Sequence, residues 1–417
     1  MAKRKKKDAA CELIAYRFYG IPSERDAVQE DKTFGCCRYL WNRMLGDHNT
    51  LYAEIGHVPN NTPADYKDLD ECLFLNEVDS LALANTALNL DAAFERFFKK
   101  TGGYPRFKAK KRAKRSYTTN AIYGSHKGRP TCNIQLNTSN GLLKLPKHRD
   151  PVRLKLHRPV KPGGKLKSVT ITQEPDGKRY YSILMEYPKL QAATQPVIQN
   201  GIGLDYSMPN PYVDSNGNSP EFPRPYRTME PKLARAQKKL SRKKPGSKRY
   251  EKQRMKVAKL YAKSKHQRKD VLHKLSCTLT DTYDLIAIED LDMSAMKQAL
   301  RFGKAVSDNG WGMFVSMLTY KAEQKGKLLV KVDRWFPSSK TCIACGHIHK
   351  ELKLSDRTYL CPVCGHAMDR DEQAAKNILT HRNDNPSSWM NRTGRRGSPV
   401  LIVRFGWLQS SCKLDSS

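Results

Sequence analysis

Apolar positions recur with two different periods in the first half of the chain. Residues 11–20 predict a short strand, whereas apolar side chains at helical spacing predict helices over about 25–56 and about 77–100. From 116 to 187 the pattern changes to five or six strand-length segments separated by Gly, Pro and Asp-Gly turns. This β-rich region predicts a small barrel, and residues 188–200 predict a linker.

The second half of the chain alternates strands with helices. The expected order is strand 202–206, strand 211–217, two basic helices broken at Pro245-Gly246, strand 285–288, helix about 308–325 and strand 328–332. Strands that alternate with helices in this way are typical of an α/β domain.

The charge of the chain indicates its partners. Lys and Arg number 75 against 41 acids, a net charge of +34, and self-repulsion at this level is unfavourable unless a polyanion relieves it. Residues 99–115 and 232–274 are stretches of nearly one sign, whereas solvated helix faces usually alternate sign. No apolar run approaches the ~20 residues that span a bilayer. We therefore predict nucleic acid, not a membrane, as the partner, with phosphate contacts from Lys238, Lys239, Arg242, Lys243 and Lys244.

Two Cys-x-x-Cys knuckles, Cys342/Cys345 and Cys361/Cys364, are separated by fifteen residues. Four thiolates from two tight turns close a tetrahedral zinc site that has no open position, so the expected role is structural. A disulfide pair is the alternative, and the odd total of eleven cysteines disfavours it. The sequence therefore predicts a zinc ribbon.

Three acids lie where an element ends or begins. Asp205 lies in an apolar strand, Glu289 ends the strand 285–288, and Asp371 begins a small-residue helix. Carboxylates at one edge of a sheet repel one another unless cations neutralise them, and two hard cations about 4 Å apart would do so. Spacing alone leaves Asp290 as a competitor of Glu289, and Asp369 as a competitor of Asp371.

The three acidic segments resemble a known family. Gly203-Leu-Asp205, Ile286-Ala-Ile-Glu-Asp-Leu291 and Asp369-Arg-Asp371-x-x-Ala-Ala-x-Asn-Ile378 are similar to the three RuvC motifs of TnpB, the RNA-guided endonuclease of prokaryotic insertion sequences and a relative of type V CRISPR effectors. The resemblance covers roughly residues 11–380. It implies Asp205, Glu289 and Asp371 as the catalytic, magnesium-binding residues. The chain departs from the family at Gln373, a position where the family usually has Asn. The residue at this position is expected to support the start of the helix.

The resemblance also implies a domain order. The fold would be α/β with α+β parts: an RNase H-like RuvC domain with a zinc-ribbon insertion, and an N-terminal wedge barrel split by a helical recognition lobe. The expected boundaries are wedge 1–21, recognition lobe 22–115, wedge 116–190, RuvC 191–340, zinc ribbon 341–366 for target binding, RuvC 367–380 and a disordered tail 381–417.

The implied activity is cleavage of double-stranded target DNA beside a short flanking motif, directed by a guide RNA from the transposon end. One RuvC site with two Mg²⁺ ions would cut both strands, and the protein would be cytoplasmic. The family's basic helix matches Arg268, His273 and Lys274, and the segment 104–110 is similar to the family's junction between lobe and barrel. Arg106 and Lys108 are therefore candidates for reading the flanking motif.

Three other functions compete with this interpretation. A nuclease-inactive RNA-guided repressor would lack one or more of the catalytic acids, and all three are present. A small type V CRISPR effector would have a similar sequence, and only a CRISPR array beside its gene would distinguish it from TnpB. A strand-transferring transposase shares the RNase H-like core, but the ribbon between the second and third acids favours the nuclease.

Overall fold

The computed structural model describes residues 11–56, 61–111, 113–126, 129–188, 198–208, 210–293, 295–296, 308–353 and 355–381. The chain divides into two compact units at residue 191. No helix in these ranges is both long and apolar enough to cross a membrane. The expected tail lies outside the described residues from 382 onward, as do residues 1–10 of the expected first wedge segment.

The helices of the first unit are α1 (Glu24–Ile55), α2 (Pro63–Lys67) and α3 (Ser80–Phe98), with a 3₁₀ turn at Asp70–Glu77. Ser23 caps the start of helix α1, where its hydroxyl accepts the Asp26 N–H, and Gly56 caps the end in the left-handed conformation. The expected helices 25–56 and 77–100 are thus confirmed, although the second begins three residues later.

The strands of the first unit are β1 (Cys11–Ile21), β2 (Arg115–Asn120), β3 (Tyr123–His126), β4 (Arg129–Cys132), β5 (Gln135–Asn137), β6 (Leu142–Lys144), β7 (Val152–Lys155), β8 (Lys165–Gln173) and β9 (Arg179–Pro188). Seven of them form an antiparallel sheet in the order β2-β8-β9-β1-β7-β6-β5, and β3 and β4 form a separate hairpin. Strand β1 lies inside the sheet, between β9 and β7, so the three helices fall in the sequence between β1 and the other strands of the sheet.

The elements of the second unit are β10 (Gly201–Tyr206), β11 (Tyr212–Asp214), α4 (Pro225–Ser241), α5 (Lys248–Thr282), β12 (Leu285–Glu289), α6 (Trp311–Lys325), β13 (Leu328–Val332), β14 (Thr358–Leu360), β15 (Ala367–Asp369) and α7 (Arg370–His381). Four of the strands form a sheet in the order β11-β10-β12-β13, in which β10, β12 and β13 run parallel. This alternation confirms the expected α/β domain.

Strand β12 is buried on both faces, which explains its uninterrupted apolar sequence. Ile286 and Ile288 pack with Phe314 of α6, whereas Leu285 and Ala287 pack with Ile378 of α7. Helices therefore cover both faces of this sheet, and only its edges remain for polar groups.

Candidate active site and cysteine cluster

Asp205 and Glu289 come from neighbouring parallel strands. Leu204 lies opposite Ile288 in the register of β10 and β12, and the next residue on each strand is an acid. Because parallel strands end at the same edge of a sheet, the two side chains come to the same carboxyl-terminal edge.

Asp371 reaches that edge from α7. The helix crosses β10 so closely that a Cβ added to Gly203 would collide with the backbone carbonyl of Ala375. Only glycine permits this approach, and it brings the first turn of α7 to Asp205, two residues beyond Gly203. The fold therefore brings the three acids close enough for the charges of Glu289 and Asp371 to act on Asp205.

The pKa values of Asp205 and Glu289 reflect their burial and, at Asp205, the nearby acids. Burial raises the pKa of Asp205 well above its ordinary value, and the nearby charges of Glu289 and Asp371 raise it further. Arg370 opposes this rise without cancelling it. Burial alone raises the pKa of Glu289 to about 7. These raised pKa values favour the protonated acids; when all three acids are ionised, their negative charge exceeds the positive charge of Arg370.

The structure separates each acid from its competitor. The Asp369 carboxylate accepts the N–H groups of Asp371 and Glu372 at 2.9 and 3.1 Å, so it caps α7. The Asp290 carboxylate instead pairs with Lys331 at 3.2 Å and Arg334 at 3.6 Å. Asp369 thus has a helix-capping role, and Asp290 is paired with two cations of its own.

Cationic neighbours of Asp371 were not anticipated from sequence. Its carboxylate lies 3.2 Å from the guanidinium of Arg370 and 3.7 Å from that of Arg357. Arg370 stands inside the matched Asp-Arg-Asp motif and could have been noticed, whereas Arg357 is fourteen residues away and carries no local signal.

The four cysteine sulfurs form one cluster, with all four Sγ atoms within 4.8 Å of one another. Cys342 Sγ lies 3.6 Å from Cys364 Sγ, and Cys345 Sγ lies 3.5 Å from Cys361 Sγ. A disulfide needs about 2.05 Å, whereas a tetrahedral zinc with Zn–S bonds of about 2.3 Å sets its sulfurs about 3.8 Å apart. The cluster therefore has the dimensions of a metal site.

The two knuckles have the same backbone geometry. Cys342 N–H donates to the His347 carbonyl and Cys361 N–H to the His366 carbonyl, each at 2.8 Å. Gly346 and Gly365, directly after the second cysteine of each knuckle, have φ of 74° and 71°, which glycine adopts without strain. The sequence pattern C-x-x-C-G thus encodes two equivalent turns.

Helix α7 is tied to the first knuckle by two amides on one of its faces. Gln373 Nε2 donates to the Thr341 carbonyl at 2.9 Å, and Asn377 Nδ2 donates to the same carbonyl at 2.6 Å and to that of Ser338 at 2.7 Å. Gln373 was expected to support the helix start; instead it is fully buried and holds the residue before Cys342. The helix that carries Asp371 is therefore fastened to the cysteine cluster.

The basic candidates lie in separate places. Lys238, Lys239, Arg242 and Lys244 are exposed at and beyond the end of α4, and Lys243 there is half-buried. On α5, Arg268 and His273 are half-buried, and Lys274 pairs with Asp270 at 2.7 Å.

In the first unit, Arg106 is exposed, whereas the Lys108 ammonium lies 3.4 Å from the centre of the Trp41 ring. The Lys108 backbone is also paired in both directions with the Asn42 side chain. Burial lowers the pKa of Lys108 to about 8. These contacts give Lys108 a packing role in this unit.

Three family models match the chain. One described as "Probable transposase" (OrfB, IS605) matches residues 172–300, a "Cas12f1-like, TNB domain" matches 311–378, and a "Helix-turn-helix domain" matches 13–57. Among the described residues of the last range, the structure has strand β1 and one uninterrupted helix, α1, in place of two helices.

Curated relatives match most of the chain. A Streptomyces pristinaespiralis protein named "Putative RNA-guided DNA endonuclease" is 34% identical over 371 residues, 87% of each chain. The Escherichia coli K12 protein "Putative RNA-guided DNA endonuclease InsQ" is 29% identical over 389 residues, 88% of this chain and 92% of its own. The fold is similar to that of Cas12f1 in a complex with sgRNA and target DNA, with a TM-score of 0.53, 13% identity and coverage of 87% and 83%.

Proposed function

The chain belongs to the TnpB family of proteins, which transposable elements encode. On that premise we propose that it is an RNA-guided DNA endonuclease with one catalytic site made by Asp205, Glu289 and Asp371. The observation that carries this proposal is the meeting of the three carboxylates at one sheet edge, where burial and their mutual charge raise the pKa of Asp205. The two competing carboxylates have other contacts: Asp290 pairs with Lys331, and Asp369 caps the start of α7.

The donor set suits magnesium. Carboxylate oxygens are the ligands that Mg²⁺ prefers, and the excess negative charge at this edge matches a hard cation. Bound there, two Mg²⁺ ions would supply an activated water and stabilisation of the leaving 3′ oxygen. Asp205 and Glu289 hold the strand side of the site, Asp371 closes it from α7, and Arg370 and Arg357 orient Asp371 and add positive charge for a phosphate.

We further propose that Cys342, Cys345, Cys361 and Cys364 bind one structural zinc, as their sulfur spacing supports. The segment 341–366 would then be a zinc ribbon that contacts target nucleic acid. Its hydrogen bonds to Gln373 and Asn377 would carry the order of the metal site to the helix of Asp371.

The net charge of +34 supports RNA and DNA as the partners. We propose that a guide RNA from the transposon end occupies much of the basic surface, with phosphate contacts from the α4–α5 cations, and that guide pairing selects the target. The wedge would comprise 1–21 and 116–190, the recognition lobe 22–115 and the RuvC domain 191–340 with 367–380. Within 104–110, exposed Arg106 is the better candidate for reading the flanking motif, since Lys108 is held against Trp41.

The test begins with the RNA that copurifies with the protein. The loaded protein is given a plasmid that carries a matching target beside randomised flanking sequence, in Mg²⁺ and in EDTA. We expect cleavage beside a short motif in Mg²⁺ alone. Asp205→Asn, Glu289→Gln and Asp371→Asn should each abolish cleavage and leave target binding intact, because they remove a metal ligand and leave the basic surfaces unchanged.

Asp290→Asn is the matched control, since it neutralises the neighbour of Glu289 and should cut at nearly the normal rate. Target binding without cleavage by the unaltered protein would establish the repressor alternative in place of the nuclease. Cleavage that survives Asp371→Asn but not Asp369→Asn would shift the third catalytic residue by two positions.

A further inference from the structure

Trp335 is the most exposed large hydrophobic residue in the described part of the chain. Its exposed fraction is 85%, whereas Trp41 and Trp311 are 7% and 2% exposed. Single exposed apolar residues are common. An indole that is almost fully in water exposes more apolar surface than a single small side chain does. Where the backbone holds it there, it can mark an interaction site.

The backbone at Trp335 is fixed by a tight turn. The Trp335 N–H donates to Asp333 Oδ1 at 2.9 Å, and the Phe336 N–H donates to the Asp333 carbonyl at 3.1 Å. The half-buried Phe336 packs against the core beside β12 and β13, and its ring stacks on His381 with centroids 3.7 Å apart. The contacts of Phe336 and the hydrogen bonds of the turn leave the ring of Trp335 in solvent.

This turn stands beside the acidic site. Val332, the last residue of β13, lies opposite Glu289 in the register of the parallel strands, and its carbonyl accepts the Asp290 N–H at 3.0 Å. Trp335 is three residues further on, so its Cα lies within about 11 Å of that of Val332. The exposed ring is therefore at the edge where the carboxylates meet.

Two cations and two acids lie around the turn. Lys331 and Arg334 pair with the carboxylate of Asp290, and Asp333 lies in the turn itself. The four charges balance, so a phosphate would have to compete with Asp290 for the two cations. An exposed aromatic face beside cations is an arrangement that binds single-stranded nucleic acid, in which bases stack and phosphates pair with cations.

We propose that Trp335 is a stacking platform for an unpaired nucleobase of the strand that enters the nuclease site. Stacking would fix the base beside β13 and hold the adjoining phosphates against Lys331 and Arg334, at the approach to Asp205 and Glu289. The ring tolerates any base, because each has a π face. This inference rests on the proposed function and adds the mode of substrate seating.

The test measures binding separately from cleavage. The full-length protein with its copurified RNA carries Asp205→Asn, so that no strand is cut. Its affinity is measured for a fluorescent oligothymidylate and for an oligomer of the same length whose nucleotides are all abasic, at salt high enough to weaken phosphate contacts. Trp335→Ala should weaken oligothymidylate binding by about 5- to 150-fold and leave binding of the abasic oligomer unchanged.

Two variants sharpen the result. Trp335→Phe should recover most of the oligothymidylate affinity, because a smaller ring still stacks. Phe98→Ala removes a 74% exposed ring in the first unit and should change neither affinity. Unchanged oligothymidylate affinity in Trp335→Ala, or an equal loss with both oligomers, would overturn the proposal. Failure of the proposed function would appear separately, as absence of cleavage by the protein that retains Asp205.

Discussion

Each unit of the molecule contains a buried acidic centre, and the two centres are compensated in opposite ways. In the first unit, Glu30 is fully buried, and Arg179 lies 2.6 Å from Oε2 while the Tyr181 hydroxyl and His148 Nε2 lie 2.6 and 3.1 Å from Oε1. In the second unit, Asp205 meets two further carboxylates and only partial opposition from Arg370. Protein groups satisfy the first centre, whereas we propose that a metal cation completes the second.

The difference distinguishes a structural carboxylate from a functional one. Glu30 joins helix α1 to strand β9 and to the turn at His148, and breaking such a buried pair leaves uncompensated charge. In the second unit, burial of Asp205 and Glu289 and the charges near Asp205 disfavour the ionised acids, a cost to stability that either protonation or a bound cation would relieve. Neutralising substitutions should therefore have opposite effects on the stability of the two units.

The largest effect on stability and cleavage should come from loss of the zinc that we propose the four cysteine thiolates bind. Cys361→Ser should release about one zinc per chain, and structural zinc contributes about 10–16 kcal/mol of apparent binding free energy in small zinc peptides. Cleavage should fall sharply, because the first knuckle holds α7 through Thr341. Elemental analysis and hydrogen exchange of residues 370–381 measure the two consequences, and active protein without zinc would contradict the assignment.

The double variant Gln373→Ala with Asn377→Ala is the companion, since it cuts the link and leaves the thiolates in place. It removes the hydrogen bonds from α7 to the carbonyls of Ser338 and Thr341. We expect the zinc content to be retained, exchange in α7 to rise and cleavage to fall. Normal cleavage in this variant would show that the ribbon does not position Asp371.

The next largest effect should be loss of stability in Glu30→Gln. The change leaves Arg179 and His148 beside a neutral amide, at a cost of about 3–5 kcal/mol to the first unit. Hydrogen exchange of α1 and β9 peptides measures this unit by itself. Asp31→Asn is the control on the same helix; its partly exposed pairs with Arg179 and Arg115 should contribute about 1 kcal/mol or less.

Glu289→Gln should do the reverse in the second unit. Burial raises the pKa of Glu289 from 4.5 to about 7, so at higher pH its charge opposes folding by roughly 3 kcal/mol. In EDTA above neutral pH, we expect exchange in β12 to slow in the variant and Asp290→Asn to give no such gain. Faster exchange in Glu289→Gln would mean that the site is compensated by protein groups after all.

The sequence predicts one of these two centres and not the other. Asp205, Glu289 and Asp371 lie near the ends or starts of elements, and the resemblance to the TnpB motifs selects them over Asp290 and Asp369; the cysteines repeat a local spacing. Glu30 is the seventh residue of α1 and meets partners that are 118 to 151 residues away. No local pattern marks a contact of that length.

Side-chain environment limits the sequence interpretation in a similar way. Lys108 stands in a run of cations and was a candidate for DNA contact, but its ammonium packs on Trp41. Gln373 was assigned to the start of α7 but holds the Thr341 carbonyl. In both cases the residue type was compatible with each role, and only the packing of a distant segment decided between them.

The smallest effect concerns the pH dependence of the first centre. Burial opposes protonation of His148, but its hydrogen bond to Glu30 and the charge of Glu30 outweigh burial, so the pKa of His148 is raised from 6.5. A raised pKa in the folded state means that the protonated form stabilises the fold. That contribution is fully present below about pH 6.5 and is lost as the pH rises through the folded pKa.

Exchange of α1 peptides should therefore accelerate as the pH rises through this window, after correction for the intrinsic dependence of exchange on pH. His148→Gln should remove that pH dependence, because the amide can still donate to Glu30 but cannot titrate. Tyr181→Phe is the control: it removes another donor to Glu30, and because its pKa is raised far above this window the hydroxyl stays protonated throughout. It should lower the stability of the unit at every pH alike. If His148→Gln kept the pH dependence of the unaltered protein, protonation of His148 would not contribute to the compensation of Glu30, and Arg179 and Tyr181 would have to supply it alone.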